Sequence, residues 1–203
     1  MKITKILQQL KRLDRYSVFV DEAYAFSLSE IALLDSGLSR GQELTVPELA
    51  DFKQLSLDDK VFGQALRYIA MRQHSTWEMQ QYLQRKAAAP ALVEQIITKL
   101  TQIGLLDDYE YAARFAQNRR LLRSSSKRKI IAELKQKRLP DGAISAALSG
   151  EPDEERSALS EMIIRKRRQT NYQDDTKLMQ YLARQGFGYG DIKQALKADN
   201  YDD

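Results

Sequence analysis

The carboxylates of Asp107, Asp108 and Glu110 have the spacing that most resembles a catalytic or metal-binding group in this 203-residue chain. Paired carboxylates can act as general acid and base or hold a metal ion. Such chemistry needs partners, and the chain has one histidine, His74, and no cysteine. An acidic residue followed three positions later by glutamate is also typical of a helix start, where the side chains cap free amides. We therefore predict a cap here, and no catalytic residue, metal site or cofactor.

Two other motifs suggest phosphate binding. The alternating glycines Gly186, Gly188 and Gly190 resemble a phosphate loop, but they follow a predicted helix rather than a strand, which favours a helix–helix turn. The Ser124–Arg128 segment starts a predicted helix, where hydroxyls, free amides and cations can hold a phosphate. An ordinary serine cap with solvated charges explains the same segment, so the sequence leaves both interpretations open.

Cations dominate the middle of the chain. From Arg114 to Arg138 there are ten Lys/Arg and a single acid, Glu133. Residues 1–60 hold eight Lys/Arg against ten Asp/Glu, whereas the rest of the chain holds twenty-four against eighteen. A basic face of this kind suggests an anionic partner such as nucleic acid or a nucleoprotein.

These residues must be positioned by short helices that follow a β-containing start. Two extended runs around Asp21-Glu22 predict a hairpin, with an earlier strand beside it. Thr45 and Pro47 mark a helix start, and from Leu57 onward apolar residues recur at helical spacing. In the central unit we place Leu122 on the inward face of the first helix, together with Tyr111 and Phe115. The predicted domains are a β-containing cap at 1–56, three-helix repeats at 57–106, 107–150 and 151–199, and a tail at 200–203.

The helical units recur after 51 and then 48 residues. A period of this length is typical of stacked helical modules, because one three-helix unit buries its apolar face poorly alone. The sequence therefore predicts a mainly α protein, in which three tandem three-helix repeats form an elongated curved array behind a small N-terminal β-hairpin-containing cap. The recurring apolar residues are Leu83, Val93 and Ile97, then Leu134, Ile144 and Leu148, and then Leu182, Ile192 and Leu196.

The bulk properties bear on location. No apolar run approaches the length of a membrane span, and the start of the chain lacks the apolar core of a signal peptide. The absence of cysteine fits a reducing compartment. We expect a cytoplasmic monomer that has no contact with a membrane.

Four segments share the residues and spacing of a known family. They are Ser75-x-x-Glu78-Met79-x-x-Tyr82-Leu83, Gly104-Leu105-Leu106-Asp107-Asp108, Ile130-x-x-Glu133-Leu134-x-x-Lys137 and Leu182-Ala183-Arg184-Gln185-Gly186-Phe187. In these segments the chain resembles the RecX regulators of the RecA recombinase, and the resemblance runs over nearly its whole length. Ser124–Ser126 and Arg138 stand where the family usually has glycine. At Arg138 this places a side chain at a predicted left-handed position, at a cost of about 1 kcal/mol.

The resemblance implies a protein without catalytic activity that binds RecA and its filament on DNA, where it limits strand exchange, ATP hydrolysis or filament growth. It also implies a role in DNA repair, DNA recombination and the SOS response. In this hypothesis a basic face attracts the acidic filament surface or its DNA. The residues of that face are Arg119, Arg120, Arg123, Lys127, Arg128, Lys129 and Lys135, extended by Lys166, Arg167 and Arg168.

Two other classes of protein fit the same sequence. One is a sequence-tolerant nucleic-acid-binding module, or a transcription regulator that uses one helix pair as a helix-turn-helix. It would bind naked DNA with a steep salt dependence and gain no affinity from RecA. The other is a purely protein-binding scaffold, which would show little salt dependence.

Overall fold

A computed structural model describes residues 1–149 and 152–199 of the chain. Within these residues, three β-strands are followed by ten α-helices and one short 3-10 helix. The predicted mainly α fold with a β-containing start is therefore confirmed. The predicted repeat boundary at residues 150 and 151 and the predicted tail at 200–203 lie outside the described residues.

The described chain forms two compact units. The first comprises Met1–Gln73 together with Met79–Leu105. The second comprises His74–Glu78 and the described residues from Leu106 onward. Each unit has its own buried apolar clusters, and the helix that contains Trp77 and Met79 contributes residues to both units.

The first unit begins with an antiparallel sheet whose strands lie in the order β1-β2-β3. Asp21 and Glu22 form the turn between the last two strands, and both have positive φ, 47° and 65°. Positive φ at both central residues matches the right-handed twist of a tight hairpin, which confirms the predicted hairpin and its earlier neighbour. The strands are β1 Ile3–Gln9, β2 Arg12–Val20 and β3 Ala23–Ser29.

Two helices, α1 (Glu30–Ser36) and α2 (Val46–Met71), follow the sheet and pack against it. Thr45 and Glu48 form a reciprocal capping box at the start of α2, as predicted. Arg15 of β2 forms an ion pair with Asp59 of α2 at 2.9 Å, and both side chains are shielded from solvent. The sheet and these helices enclose a core of Ile3, Val18, Val20, Phe26, Leu28, Leu38 and Leu44.

The boundary predicted between residues 56 and 57 falls inside α2, which runs for 26 residues without a break. Its first half contributes Phe52 to the sheet core, and in its second half the Tyr68 ring stacks on that of Tyr82 at 4.0 Å. The sequence suggested two helix starts because the residues between these halves are polar. Both starts belong to one helix. The predicted boundary between residues 56 and 57 therefore does not separate two elements. The next helices are α3 Thr76–Arg85 and α4 Pro90–Gln102.

Three helices at the centre of the second unit carry most of the cations. The Asp107 side chain caps the first by accepting hydrogen bonds from the amides of Tyr109 and Glu110, as predicted. Ser126 caps the second by accepting from the amide of Lys129 at 3.2 Å. The helices are α5 Asp108–Arg123, α6 Lys127–Gln136 and α7 Asp141–Ala147. Their core is Tyr111, Ala112, Ala116, Ile130, Leu134, Leu139, Ala143, Ile144 and Leu148.

Leu122 is not part of this core, and its predicted inward position is wrong: 76% of the residue is exposed. The helical phase is as predicted, since seven residues separate Leu122 from Phe115 and bring it back to within about 20° of the same direction. Phe115 is partly buried and Tyr111 is buried. Helix α5 is longer than the core it covers, so its last turn extends beyond the packed residues.

The last helices of the second unit form a further cluster. Asp174 caps the helix that begins at Asp175 by accepting hydrogen bonds from the amides of Thr176 and Lys177. Phe187, in the loop that follows, is buried. The elements are α8 Pro152–Arg167, the 3-10 helix Thr170–Tyr172, α9 Asp175–Arg184 and α10 Tyr189–Asp199. Their core is Ala158, Leu159, Met162, Ile163, Leu178, Leu182, Phe187, Ile192 and Leu196.

The predicted repeat is visible in the backbone. A left-handed residue follows the middle helix of each triplet: Ala87 with φ 56°, Arg138 with φ 57° and Gly186 with φ 94°. Eight of the nine predicted recurring apolar residues are buried, and Ile97 is partly buried. The left-handed geometry predicted at Arg138 is confirmed. The stacking of the repeats into a curved array stays a prediction.

Candidate interaction surface on helices α5, α6 and α8

The sequence left two interpretations open for the turn between α5 and α6, a phosphate site and a serine cap. All three of its serines are buried. The Ser124 hydroxyl donates to the Glu161 carboxylate at 2.9 Å, and the Ser126 hydroxyl donates to the Gln185 carbonyl at 2.7 Å. The amide of Lys127 donates to Glu155 at 2.8 Å. Because the chain's own groups occupy these donors, the structure favours the serine cap over the phosphate interpretation.

Glu155 therefore takes the place that an anion would occupy at the start of α6. Burial raises the pKa of its carboxyl group, while the hydrogen bond from the Lys127 amide and the charge of Arg120 act in the opposite direction. The carboxylate favours the positive end of the helix dipole. A second anion bound here would be repelled by Glu155.

Several predicted binding residues are held by neighbouring side chains. The Arg119 Nε lies 2.5 Å from the Glu133 carboxylate, and its guanidinium lies over the Phe115 ring at 4.7 Å. Arg120 forms an ion pair with Glu154. Both arginines are largely buried, so their charges act within the fold.

Four more of the predicted residues also have partners inside the second unit. The Lys129 Nζ donates to the Gln185 side chain at 2.6 Å, and the Lys135 Nζ lies 3.7 Å from Asp141 at an exposed position. The Lys166 ammonium lies over the Tyr181 ring at 4.5 Å. The remaining residue, Arg167, forms an ion pair with Asp175 and donates to two backbone carbonyls.

The other four predicted residues differ from these. Arg123, Lys127, Arg128 and Arg168 are exposed, and within the described residues their side chains form no ion pair and no hydrogen bond. We call these four the exposed basic set. Such side chains can attract an anionic surface without first breaking an internal contact.

Two cations outside the predicted set also contact distant segments of the chain. Lys137 lies 2.7 Å from the Glu78 carboxylate and 5.6 Å from the Tyr111 ring centre. Burial lowers the pKa of Lys137, but the hydrogen bonds and charges of Glu78 and Tyr111 outweigh it, so the pKa is raised overall. The Arg165 Nη2 donates to the carbonyl of Arg123 at 3.0 Å, which places the end of α8 at the end of α5. Sequence spacing gives no signal for such pairings between distant segments.

Of the three acidic residues interpreted as a cap, Asp107 caps α5, whereas Glu110 does not complete a capping box. Besides the cap by Asp107, the Asp108 carboxylate accepts from the amide of Thr76 at 2.8 Å, and Glu110 forms an ion pair with Arg114. Among the described residues no group of three His, Cys, Asp or Glu side chains is placed to hold a metal ion. None of the described helices has the length and apolarity needed to span a bilayer.

Comparison with known families now places the chain. The profile of the regulatory protein RecX N-terminal domain matches residues 1–45. The first RecX three-helix domain matches residues 62–100, and the second matches residues 107–148. The chain belongs to the RecX family. The sheet and the first two helical triplets described above are thus the RecX architecture.

Relatives named "Regulatory protein RecX" match along most of the chain. The one from Bacillus licheniformis is 30% identical over 205 residues, which cover 98% of this chain and 78% of that relative. The one from Bacillus subtilis is 28% identical over 98% of this chain and 78% of that relative. A crystal structure of regulatory protein RecX superposes with a TM-score of 0.80 at 25% identity, over 97% of this chain and 98% of that one. RecX proteins are named as regulators, which supports a regulatory role for this chain.

Proposed function

We propose that this RecX protein binds the RecA recombinase and its filament on DNA and inhibits both recombination and ATP hydrolysis. It acts as a cytoplasmic monomer without catalytic activity of its own, in DNA repair, recombination and the SOS response. Membership of the RecX family supports the regulatory part of this proposal. The exposed basic set supports the choice of an anionic target.

The exposed basic set carries the proposal because none of its side chains forms an ion pair or a hydrogen bond among the described residues, although the charge of Lys127 also acts on Glu155. Arg123 ends α5, Lys127 and Arg128 begin α6, and Arg168 follows α8. The contact from Arg165 to the Arg123 carbonyl joins the ends of α5 and α8. A cluster of solvated cations raises the association rate with an anionic filament and makes binding sensitive to salt.

The remaining predicted residues have a different role in this proposal. Arg119, Arg120, Lys129, Lys166 and Arg167 position helices, so changing them would disturb the fold together with any binding. Lys135 is exposed but lies near Asp141, which weakens its attraction for a partner. Experiments on binding should therefore begin with the exposed basic set.

The test is RecA ATPase activity on single-stranded DNA, titrated with this protein. Wild type lowers the activity, and the triple variant Arg123→Glu, Lys127→Glu, Arg128→Glu needs about tenfold more protein for the same inhibition, because three rim charges are reversed. The matched control reverses three exposed lysines of the first unit, Lys11, Lys53 and Lys60. It changes the net charge equally and leaves inhibition unchanged. Undiminished inhibition by the first triple variant, with intact helical circular dichroism, would remove these residues from the mechanism.

The same cations suit phosphates, so a nucleic-acid-binding module is the second candidate. Binding of the protein to naked single-stranded DNA, measured by fluorescence anisotropy at several salt concentrations, separates the two. The RecA proposal expects tighter binding when RecA coats the DNA. Equal affinity with and without RecA, falling steeply with salt, would favour the nucleic-acid module. Salt-independent binding to RecA would favour a protein-binding scaffold.

A further inference from the structure

Three large apolar side chains lie uncovered at the end of α5 and on the neighbouring end of α8. Leu121 is 70% exposed, Leu122 is 76% exposed and Ile164 is 54% exposed. The hydrogen bond from Arg165 to the Arg123 carbonyl, 3.0 Å long, connects the two helix ends. This contact brings the two helix ends together, and we treat the three apolar side chains near it as one candidate surface.

Cations surround this apolar surface. Arg123 follows the two leucines, and Arg165 and Arg168 follow Glu161 by four and seven residues, which places them on one face of α8. The Glu161 carboxylate accepts a hydrogen bond from Ser124. We call this region the leucine–arginine patch; its residues are Leu121, Leu122, Arg123, Ile164, Arg165 and Arg168.

Leu122 is exposed although its helical phase is that of a buried residue. Leu122 continues the inward stripe of Tyr111 and Phe115, but the core residues of α5 end at Ala116. The last turn thus presents an apolar side chain in the phase of a buried one, beyond the residues that could bury it. An apolar surface rimmed by polar residues is typical of a protein-interaction site.

We propose that the leucine–arginine patch docks an acidic protein segment that carries apolar side chains of its own. The inference rests on the proposed function, and it assigns this segment to RecA in the filament rather than to the DNA. The leucines would be covered by the apolar side chains of the segment, while Arg123 and Arg168 would face its carboxylates.

The chemistry favours protein over nucleic acid at this patch. Contact with a phosphate backbone uses cations and hydrogen-bond donors. Such a contact gains no free energy from burying the apolar side chains of two leucines and an isoleucine. Burial of apolar surface contributes about 25 cal/mol per Å², which only an apolar partner surface can provide. The cations at the rim select an acidic segment over a basic one, because like charges would repel it.

The double variant Leu121→Gln, Leu122→Gln tests the proposal with two readouts. We expect half-inhibition of RecA ATPase to require about tenfold more of this variant, since two apolar side chains that would be buried against the partner become polar. Affinity for naked single-stranded DNA stays within about twofold of wild type, because the cations remain. The matched control is Leu10→Gln, Leu13→Gln, which changes two leucines that are 98% and 68% exposed in the first unit. This control leaves both readouts unchanged.

A second arm tests the choice of an acidic segment. Arg123→Gln, Arg168→Gln should flatten the dependence of RecA inhibition on salt concentration, whereas the leucine variant keeps the wild-type slope. Sedimentation of the free protein accompanies both arms. A wild-type dimer that the leucine variant abolishes would assign the patch to a second copy of the chain and overturn the proposal.

The remaining outcomes also decide. If the leucine variant inhibits RecA as well as wild type does, the patch is not the docking site, although the proposed function stands. If it loses RecA inhibition and DNA affinity in equal measure, the patch contacts nucleic acid and the inference is wrong. If wild type itself has no effect on RecA, both the proposed function and the inference fall.

Discussion

Two junctions in the second unit use the same contacts and differ in how tightly they close. In the first, the start of α3 meets the end of α6. The Ser75 hydroxyl donates to the Lys137 carbonyl at 3.4 Å, and the amide of Thr76 donates to Asp108 at 2.8 Å. An ion pair of 2.7 Å between Glu78 and Lys137 completes it.

In the second junction, the start of α6 meets the end of α9. The Ser126 hydroxyl donates to the Gln185 carbonyl at 2.7 Å, and the amide of Lys127 donates to Glu155 at 2.8 Å. Where the first junction has an ion pair, Lys129 donates a hydrogen bond of 2.6 Å to the neutral side-chain amide of Gln185. A serine, the amide after it and the side chain three positions after it thus perform equivalent tasks at both junctions.

The closer approach explains which residue each junction accepts at its left-handed position. At the second junction a Cβ on Gly186 would lie 2.7 Å from the Ser126 hydroxyl oxygen and 3.3 Å from the Arg128 Cβ. At the first, the longer hydroxyl–carbonyl distance goes with a residue that has a Cβ, Arg138, with φ 57°. The repeat thus fixes the backbone conformation, whereas the local separation decides whether glycine is required.

Gly186→Ala should give the largest effect. It adds both left-handed strain and a clash with Ser126, and we expect it to lower the free energy of unfolding by about 3 kcal/mol. The control is Gly104→Ala, because Gly104 has φ 73° with no atom near the added Cβ. Strain alone should cost about 1 kcal/mol there. Urea denaturation of both variants measures the difference, and equal losses would show that the close approach is unimportant.

Breaking the ion pair of the first junction should come next. Lys137→Met leaves a Glu78 carboxylate that is largely shielded from solvent, and we expect a loss of about 2 kcal/mol. Lys129→Met at the second junction removes a bond to a neutral acceptor and should cost about 1 kcal/mol. Double-mutant cycles with Glu78→Gln and Gln185→Ala give the two coupling energies. A coupling at the second junction as large as that at the first would contradict this ranking.

Arg138→Gly should stabilise the protein slightly. Glycine relieves the left-handed strain, by at most about 1 kcal/mol, although it also adds freedom to the unfolded chain. The urea midpoint should rise without a change in the slope of the transition. A lower midpoint would indicate that the Arg138 side chain makes a stabilising contact that outweighs its strain.

The smallest effect concerns pH at the second junction. Because burial raises the pKa of Glu155 above its usual 4.5, the folded state holds the proton more tightly than the unfolded state. Stability from this group is therefore present below pH 4.5 and decreases as pH rises through the raised folded value. Glu155→Gln should lack this decrease, and urea denaturation between pH 4 and pH 7, compared with wild type, detects it. Parallel pH profiles for both proteins would contradict the prediction.

The sequence predicted the elements and their caps well, because those signals are local. Asp107, Thr45 and the Asp21-Glu22 turn act through backbone groups a few residues away, so residue type and spacing suffice to find them. The resemblance to the RecX family, which usually has glycine there, predicted the left-handed position of Arg138.

The partners of the cations were not predictable, because an ion pair depends on which distant segment packs nearby. Arg120 pairs with Glu154 and Lys137 with Glu78 across long stretches of chain, and neither spacing nor charge counts reveal this. The predicted inward position of Leu122 was wrong for a related reason. Helical phase gives the direction of a side chain, but the length of the neighbouring core decides whether anything covers it.

The undivided helix α2 has a consequence for how the RecX N-terminal segment behaves. Phe52 packs into the sheet core and Tyr68 packs on Tyr82. The single helix α2 therefore contributes side chains to two separate clusters. Deleting the strands would remove the packing partner of the first half of α2. The loss would weaken the whole helix, including the half that contacts Tyr82. Amide protons of the sheet and of α2 should therefore exchange with solvent in a single cooperative opening.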